Sequence, residues 1–122
     1  MDLNRVTLIG NLTKDPTVKA LPSGQAVSSF SLATNFRWED RESKAKKESV
    51  EFHDVVAFAK LAEIINQYVK KGSKVYLEGR LRTNSWKGKD GKSRRTTQIV
   101  ADNLIMLGHR GQREVKAESA TA

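Results

Sequence analysis

The sequence predicts an all-β domain of five strands, with a single helix between the third and fourth. Three observations carry this. Apolar and polar residues alternate along five separate segments, as in strands that bury one face. Only Leu61, Ile64, Ile65 and Tyr68 have the i, i+3, i+4, i+7 spacing of a helix face. Turn-forming residues interrupt the pattern at Asp15-Pro16, Pro22-Ser23-Gly24 and Asp90-Gly91. The chain has 122 residues, the size of one domain. It contains no cysteine, which removes disulfides, Cys-based zinc sites and thiol chemistry and fits a reducing compartment.

Residues 3–14 form the first predicted strand. Val6, Leu8, Gly10 and Leu12 lie on one side, and Arg5, Thr7, Ile9 and Asn11 on the other. Pro16 ends it, because proline supplies no ladder donor. Residues 18–21 read as a short extended piece. The second strand, residues 26–36, puts Ser28, Phe30, Leu32, Thr34 and Phe36 on one face. Residues 38–49 lose the pattern and are dominated by charge, so a mobile loop with Trp38 at its base is expected. Residues 50–58 form the third strand. The helix follows from residue 60, with Lys70 and Lys71 placed to complement its negative end and Gly72 as its C′ residue. In the fourth strand, residues 73–86, Val75, Leu77 and Leu81 face one way. Tyr76, Glu78, Arg80, Arg82, Asn84 and Trp86 face outward. Residues 87–93 form a glycine-rich hairpin loop, and residues 94–107 the fifth strand. Five strands with one helix between strands 3 and 4 is the element order of the OB-fold, a five-stranded Greek-key barrel. The expected boundaries are a domain over 1–108 and a short flexible tail over 109–122.

The formal net charge is +8, which favours polyanions. It is concentrated. Residues 72–95 hold eight Lys/Arg (Lys74, Arg80, Arg82, Lys87, Lys89, Lys92, Arg94 and Arg95) against Glu78 and Asp90. No segment reaches the roughly 18 apolar residues of a membrane span, and the first residues carry no secretory h-region, so a cytoplasmic protein without membrane contact is expected.

Catalytic patterns are missing. The two histidines, His53 and His109, are far apart in the chain, with no carboxylate at ligand spacing. No phosphate-binding glycine loop, dinucleotide fingerprint or nucleophile elbow occurs. No enzyme, metal or cofactor is expected. The aromatics suggest a binding role instead. Trp38 opens a charged stretch, and Trp86 ends a strand on its arginine-bearing face. Unpaired bases stack on such rings, while Arg and Lys neutralise phosphates. Phe52 and Phe58 share a strand face with Val50, Asp54 and Val56, and on pattern alone they read as core.

Four segments, NRVTLIGNLTKDP, LPSGQAVSSFSLATN, FHDVVAFAKLAE and KKGSKVYLEGRLRTNSWKGKDGK, resemble the bacterial single-stranded DNA-binding protein family. The resemblance runs over residues 3–108. It implies an OB-fold that assembles as a homotetramer. Single-stranded DNA would wrap around that tetramer at the nucleoid during replication, recombination and repair. By position it assigns base stacking to Trp38, Phe52, Phe58 and Trp86, moving the two phenylalanines from core to base contact. It also assigns subunit contact to His53. The basic residues expected to meet the phosphate backbone are Arg80, Arg82, Lys60, Lys71, Lys74, Lys87 and Arg95, with the loops 39–49 and 87–93 closing over the strand.

The sequence departs from the family in places. Phe52 stands where tryptophan is common, Asp54 where a basic residue is common, and Arg95 where an aromatic is common. The family often ends in a Gly/Pro/Gln-rich linker and an acidic tip, and neither is present before SATA. The resemblance therefore does not carry recruitment of replication and repair proteins over to this chain. Two other readings compete. One is a dimeric primosome- or RNA-binding OB module using the same basic face. The other is an interaction module whose aromatics are all core or interface.

Overall fold

The computed structural model describes residues 1–108 and the backbone of residues 113–116. Along the chain run β1 (Val6–Leu12), β2 (Thr17–Ala20), β3 (Ala26–Glu39), β4 (Lys46–Phe58), α1 (Ala59–Tyr68), β5 (Lys74–Lys87), β6 (Ser93–Leu107) and β7 (Arg113–Lys116). Five of these strands close a barrel in the order β1-β5-β6-β4-β3, with β3 returning to β1. The helix lies between the third and fourth barrel strands, as the sequence predicts, and the architecture is an OB-fold.

All barrel neighbours are antiparallel except β4 and β6. Those two meet in parallel at only Val55↔Ile99 and Val56↔Val100. β1 serves two partners. It pairs with β5 from Val6↔Gly79 to Asn11↔Lys74, and its end pairs with β3 at Asn11↔Ala33 and Leu12↔Leu32. Gly10 sits at this switch. A Cβ there would run into the Ala33 carbonyl, so closure depends on a residue without one. The alternating positions deliver a single main core of Leu12, Phe30, Leu32, Val55, Val75, Leu77 and Leu104, onto which α1 packs Leu61, Ala62 and Ile65.

Three local expectations change. The charged stretch 39–49 is not a mobile loop. β3 runs to Glu39 and β4 starts at Lys46, leaving a short turn. The hairpin is extended by a ladder in which opposite charges face each other, Arg37↔Glu48 and Glu39↔Lys46. Arg37 Nε lies 3.4 Å from Glu48 Oε1, and Lys47 Nζ 3.5 Å from Asp40 Oδ2. Asp40 organises the turn, accepting from the Glu42 amide at 3.1 Å and the Ser43 hydroxyl at 3.1 Å.

The helix ends earlier than expected. Val69 leaves the helical conformation to bury its side chain in the core, so Lys70 and Lys71 lie beyond the last turn. Gly72, with φ of +85°, serves a following tight turn rather than the helix C′ position. The short extended piece expected at residues 18–21 is present, as β2 over residues 17–20 against the start of β3. Residues 113–116, expected within the unpatterned tail, form β7 against β6 from Asn103↔Lys116 to Met106↔Arg113. The remainder of the tail lies outside the described residues.

Gly10→Ala is expected to destabilise the fold by about 1–3 kcal/mol, the usual cost of forcing an atom into a filled space. Chemical denaturation would read this as a lowered midpoint. An unchanged midpoint would mean that the β1–β3 junction has room to give.

Candidate nucleic-acid interface

The short parallel join between β4 and β6 builds the site. Adjacent residues of a strand point to opposite faces. Val55 and Ile99 therefore enter the main core, whereas Val56 and Val100 emerge on the outer side of the barrel. There they pack with Val27 and Phe58 into a second, small apolar cluster. The same outer face carries Phe52 and Asp54 along β4. Along β5 it carries Arg80, Arg82, Asn84 and Trp86, which stand opposite Val100, Gln98, Thr96 and Arg94 of β6. The Arg82 guanidinium carbon lies 5.3 Å from the centre of the Phe58 ring, a cation–π contact spanning two strands.

Several of these rings are open to solvent. Phe52 is 66% exposed and Trp86 48%, far more than core aromatics would be. Phe58 is half-buried, with its outer side under Arg82. The backbone turns sharply just after it, because Ala59 adopts φ of +58° to lead β4 into α1. A non-glycine residue there costs roughly 1–2 kcal/mol. This strain borders Phe58.

Several cations of the face already have carboxylate partners. Arg80 Nη1 is 3.3 Å from Asp102 Oδ1. Asp102 is the extra residue of a β-bulge, since Glu78 faces Asn103 while Gly79 faces Ala101. Arg94 Nη2 is 3.3 Å from Asp90 Oδ2 in the hairpin loop. Arg82 meets no carboxylate among the described residues. Asn84 Nδ2 donates to Gln98 Oε1 at 2.9 Å, which fixes the two amides side by side.

Towards β1 the outer face changes character. Arg5 Nη2 donates to Glu78 Oε2 at 2.8 Å, and the Tyr76 hydroxyl donates to Glu78 Oε1 at 2.6 Å. That hydrogen bond, with some burial, raises the Tyr76 pKa above its ordinary value. Arg5 is thereby committed to a carboxylate and adds little to the basic surface.

The structure thus brings together Phe52, Phe58, Trp86, Arg80 and Arg82. Other sequence-predicted residues fall elsewhere. Trp38 lies on the opposite side of the β3–β4 hairpin from Phe52. It is stacked against Phe36 with centroids 5.6 Å apart and borders a hollow shared with Lys46 and Lys47. Lys87 and Arg95 lie on the opposite side of the β5–β6 hairpin from Trp86. Lys60 follows Phe58 at the start of α1, its Nζ 4.0 Å from Glu63 Oε2. Lys71 and Lys74 are exposed at the α1–β5 connection, where the Lys71 amide is held by Asp15 Oδ1 at 2.8 Å. His53 is half-buried on the core side of β4, its Nε2 2.9 Å from the Thr34 hydroxyl. The apolar floor, Gln98 and the carboxylate partners of Arg80 and Arg94 were not read from the sequence. Their placement depends on register and on the bulge, for which the pattern carries no signal.

An OB-fold barrel with three rings and two arginines on one outer face is a class of module suited to chains of bases and phosphates. Comparison with known proteins narrows this. The model of the single-strand binding protein family matches residues 3–107, and the chain belongs to that family. Single-stranded DNA-binding proteins from Neisseria meningitidis serogroups A and B are each 47% identical to it over 112 residues. The match covers 92% of this chain and 64% of theirs, so the chain spans about 64% of the length of these curated relatives. Among solved structures, a Plasmodium falciparum SSB complex with ssDNA aligns with a TM-score of 0.81 at 33% identity. That alignment covers 88% of this chain and 97% of the other.

The ion pairs make a checkable prediction. Asp102→Asn and Asp90→Asn should each raise the salt concentration needed to elute the protein from heparin by more than Glu51→Gln, which changes net charge equally but lies on the opposite face of β4 from Phe52. Equal elution of all three variants would mean that Arg80 and Arg94 are not restrained by their partners.

Proposed function

We propose that this chain binds single-stranded DNA with little sequence preference and protects it during replication, recombination and repair. The observation that carries the proposal is the outer face itself. Phe52 and Trp86 are exposed there beside Arg80 and Arg82, over an apolar floor of Val27, Val56 and Val100. Bases stack on the rings, each stacked base contributing about 1–3 kcal/mol, while the arginines neutralise phosphates and release counterions. Duplex DNA hides its base faces and offers only phosphates. Family membership and the likeness to a Plasmodium falciparum SSB in complex with ssDNA support the same reading.

The path of the strand is part of the proposal. Phe52, Phe58 and Trp86 form its central track, with Arg82 as the uncommitted cation. Trp38, Lys87 and Arg95 take up the strand where it passes round the edges of the two hairpins, and Lys60, Lys71 and Lys74 attract it beside the helix. The working unit is a homotetramer with His53 near a subunit contact. Light scattering should then report a mass four times the 13.6 kDa chain. A dimer would point to the primosome-type reading.

Intrinsic tryptophan fluorescence gives the direct test. Oligo-dT should quench it strongly, duplex of equal length should not, and part of the binding should survive high salt. Trp86→Ala should weaken oligo-dT binding by about 1–3 kcal/mol per site. Arg82→Ala should flatten the dependence of affinity on salt. Equal binding of duplex, abolished by salt, would reduce the face to a generic basic surface. RNA bound as tightly as DNA would favour an RNA-binding module.

A further inference from the structure

We propose that Asp54 is a base-selecting residue that biases the site toward guanine and against thymine; this rests on the single-stranded DNA binding proposed above. Asp54 stands on the outer face between Phe52 and Phe58, exposed, opposite Ser31 of β3. On its other flank β4 meets β6 in parallel at Val55↔Ile99 and Val56↔Val100 alone, so Asp54 lies just beyond that ladder. One alternation back from the Val56↔Val100 pair, Asp54 and Gln98 occupy the same face.

Its chemistry sets it apart from the other carboxylates there. Asp102 is spent on Arg80 and Asp90 on Arg94. Asp54 meets no cation or hydrogen-bond donor among the described residues. A free carboxylate in the middle of a basic, aromatic face repels phosphate. It therefore favours strand placements that turn base edges, rather than backbone, toward β4.

A carboxylate only accepts hydrogen bonds. Guanine offers two adjacent donors, N1–H and the N2 amino group, which match the two oxygens of one carboxylate. Cytosine and adenine offer a single amino group. Thymine offers one N3–H flanked by two carbonyl oxygens, which face the carboxylate unfavourably. A base stacked on Phe52, about 7 Å along the strand from Asp54, presents its edge within reach. Gln98 strengthens the match. Its Oε1 is occupied by Asn84, leaving its amide hydrogens for a carbonyl such as guanine O6.

The test measures affinity for oligo-dT, for a thymine oligonucleotide with guanine at every third position, and for its hypoxanthine counterpart, which keeps N1–H but lacks the N2 amino group. Wild type, Asp54→Asn and Asp54→Ala are compared. All three should fold, since the side chain is exposed and unpartnered. Purines stack better than thymine on any ring, so the readout is the change in the guanine-to-thymine ratio. That ratio should fall about fivefold in Asp54→Ala, the low end for a bidentate contact in an exposed groove. Wild-type affinity for the hypoxanthine oligonucleotide should be intermediate. A variant that tightens binding to all oligonucleotides equally would make Asp54 a mere repeller of phosphate and overturn the inference. An unchanged ratio would overturn it as well. In both cases oligo-dT binding in preference to duplex would leave the function itself standing. Wild-type protein that binds none of them better than duplex would overturn both.

Discussion

Two residue pairs hold the arrangement together. Val55↔Ile99 and Val56↔Val100 are the only ladder between β4 and β6, and without them the strand order would be an open sheet. Because the join is two residues long and strand side chains alternate, it does two things at once. One pair completes the barrel core. The other becomes the outer apolar floor with Val27 and Phe58. The floor is therefore no independent patch of surface hydrophobicity. It is the reverse side of barrel closure, and the candidate site cannot be weakened at Val56 or Val100 without loosening the fold. The same brevity shapes the molecule elsewhere. Beyond the join, the β3–β4 and β5–β6 hairpins have no third strand and leave the barrel as two-stranded arms.

Two-stranded arms bury little and are marginal by themselves. What holds them is polar and distributed. Arg37–Glu48 and Lys47–Asp40 lie on one arm, and Arg94–Asp90, Asn84–Gln98 and Thr83–Thr97 on the other. The exposed ion pairs contribute roughly 0–1 kcal/mol each and weaken in salt, whereas the neutral Asn84–Gln98 and Thr83–Thr97 bonds are not screened. The Asp40 turn has a defined pH window. The Glu42 amide and Ser43 hydroxyl, with Lys47, hold its carboxyl below the ordinary carboxylate value against a small opposing effect of burial. A carboxyl depressed on folding stabilises the folded form above its ordinary value, and that support is lost as pH falls through the lowered one. The turn therefore has this support at any pH above the ordinary carboxylate range, neutral pH included.

Much of this was legible in the sequence, for physical reasons. A strand that buries one face must alternate, so Val6 to Leu12 and Val75 to Leu77 announced themselves, and so did the outward arginines and Trp86. The helix face at Leu61, Ile64 and Ile65 was equally plain. The β3–β4 arm was not. Its ladder is stabilised by charge across the strands, and a charged run looks the same whether it is a loop or two facing strand ends. Phe52 and Phe58 show the limit most clearly. Their alternation with Val55 and Ala57 fixed that they share a face, but which face is core depends on pairing with Ile99 and Val100, some forty residues away. Pattern alone pointed to core and resemblance to solvent, and the barrel places them outside. The early end of α1 had a similar cause: Val69 turns extended and enters the core, a placement that the helical spacing does not report.

The chain's positive charge overstates what the outer face can offer a phosphate. Arg80 meets one with its charge already offset by Asp102, and Arg94 with its charge offset by Asp90. Exchanging one anion for another releases fewer counterions than neutralising a phosphate with a free cation. Arg5 is committed to Glu78, and Asp54 adds a negative charge at the centre. Arg82 meets no carboxylate among the described residues, and even it is partly occupied by the Phe58 ring. On the proposed reading, attraction at long range is governed by the total charge, while holding at short range falls to the rings and their apolar floor. Under the proposed function, affinity that depends on ring faces more than on cations tolerates salt and any base sequence. It also requires an unpaired strand, because only there are the base faces free to replace water on Phe52 and Trp86.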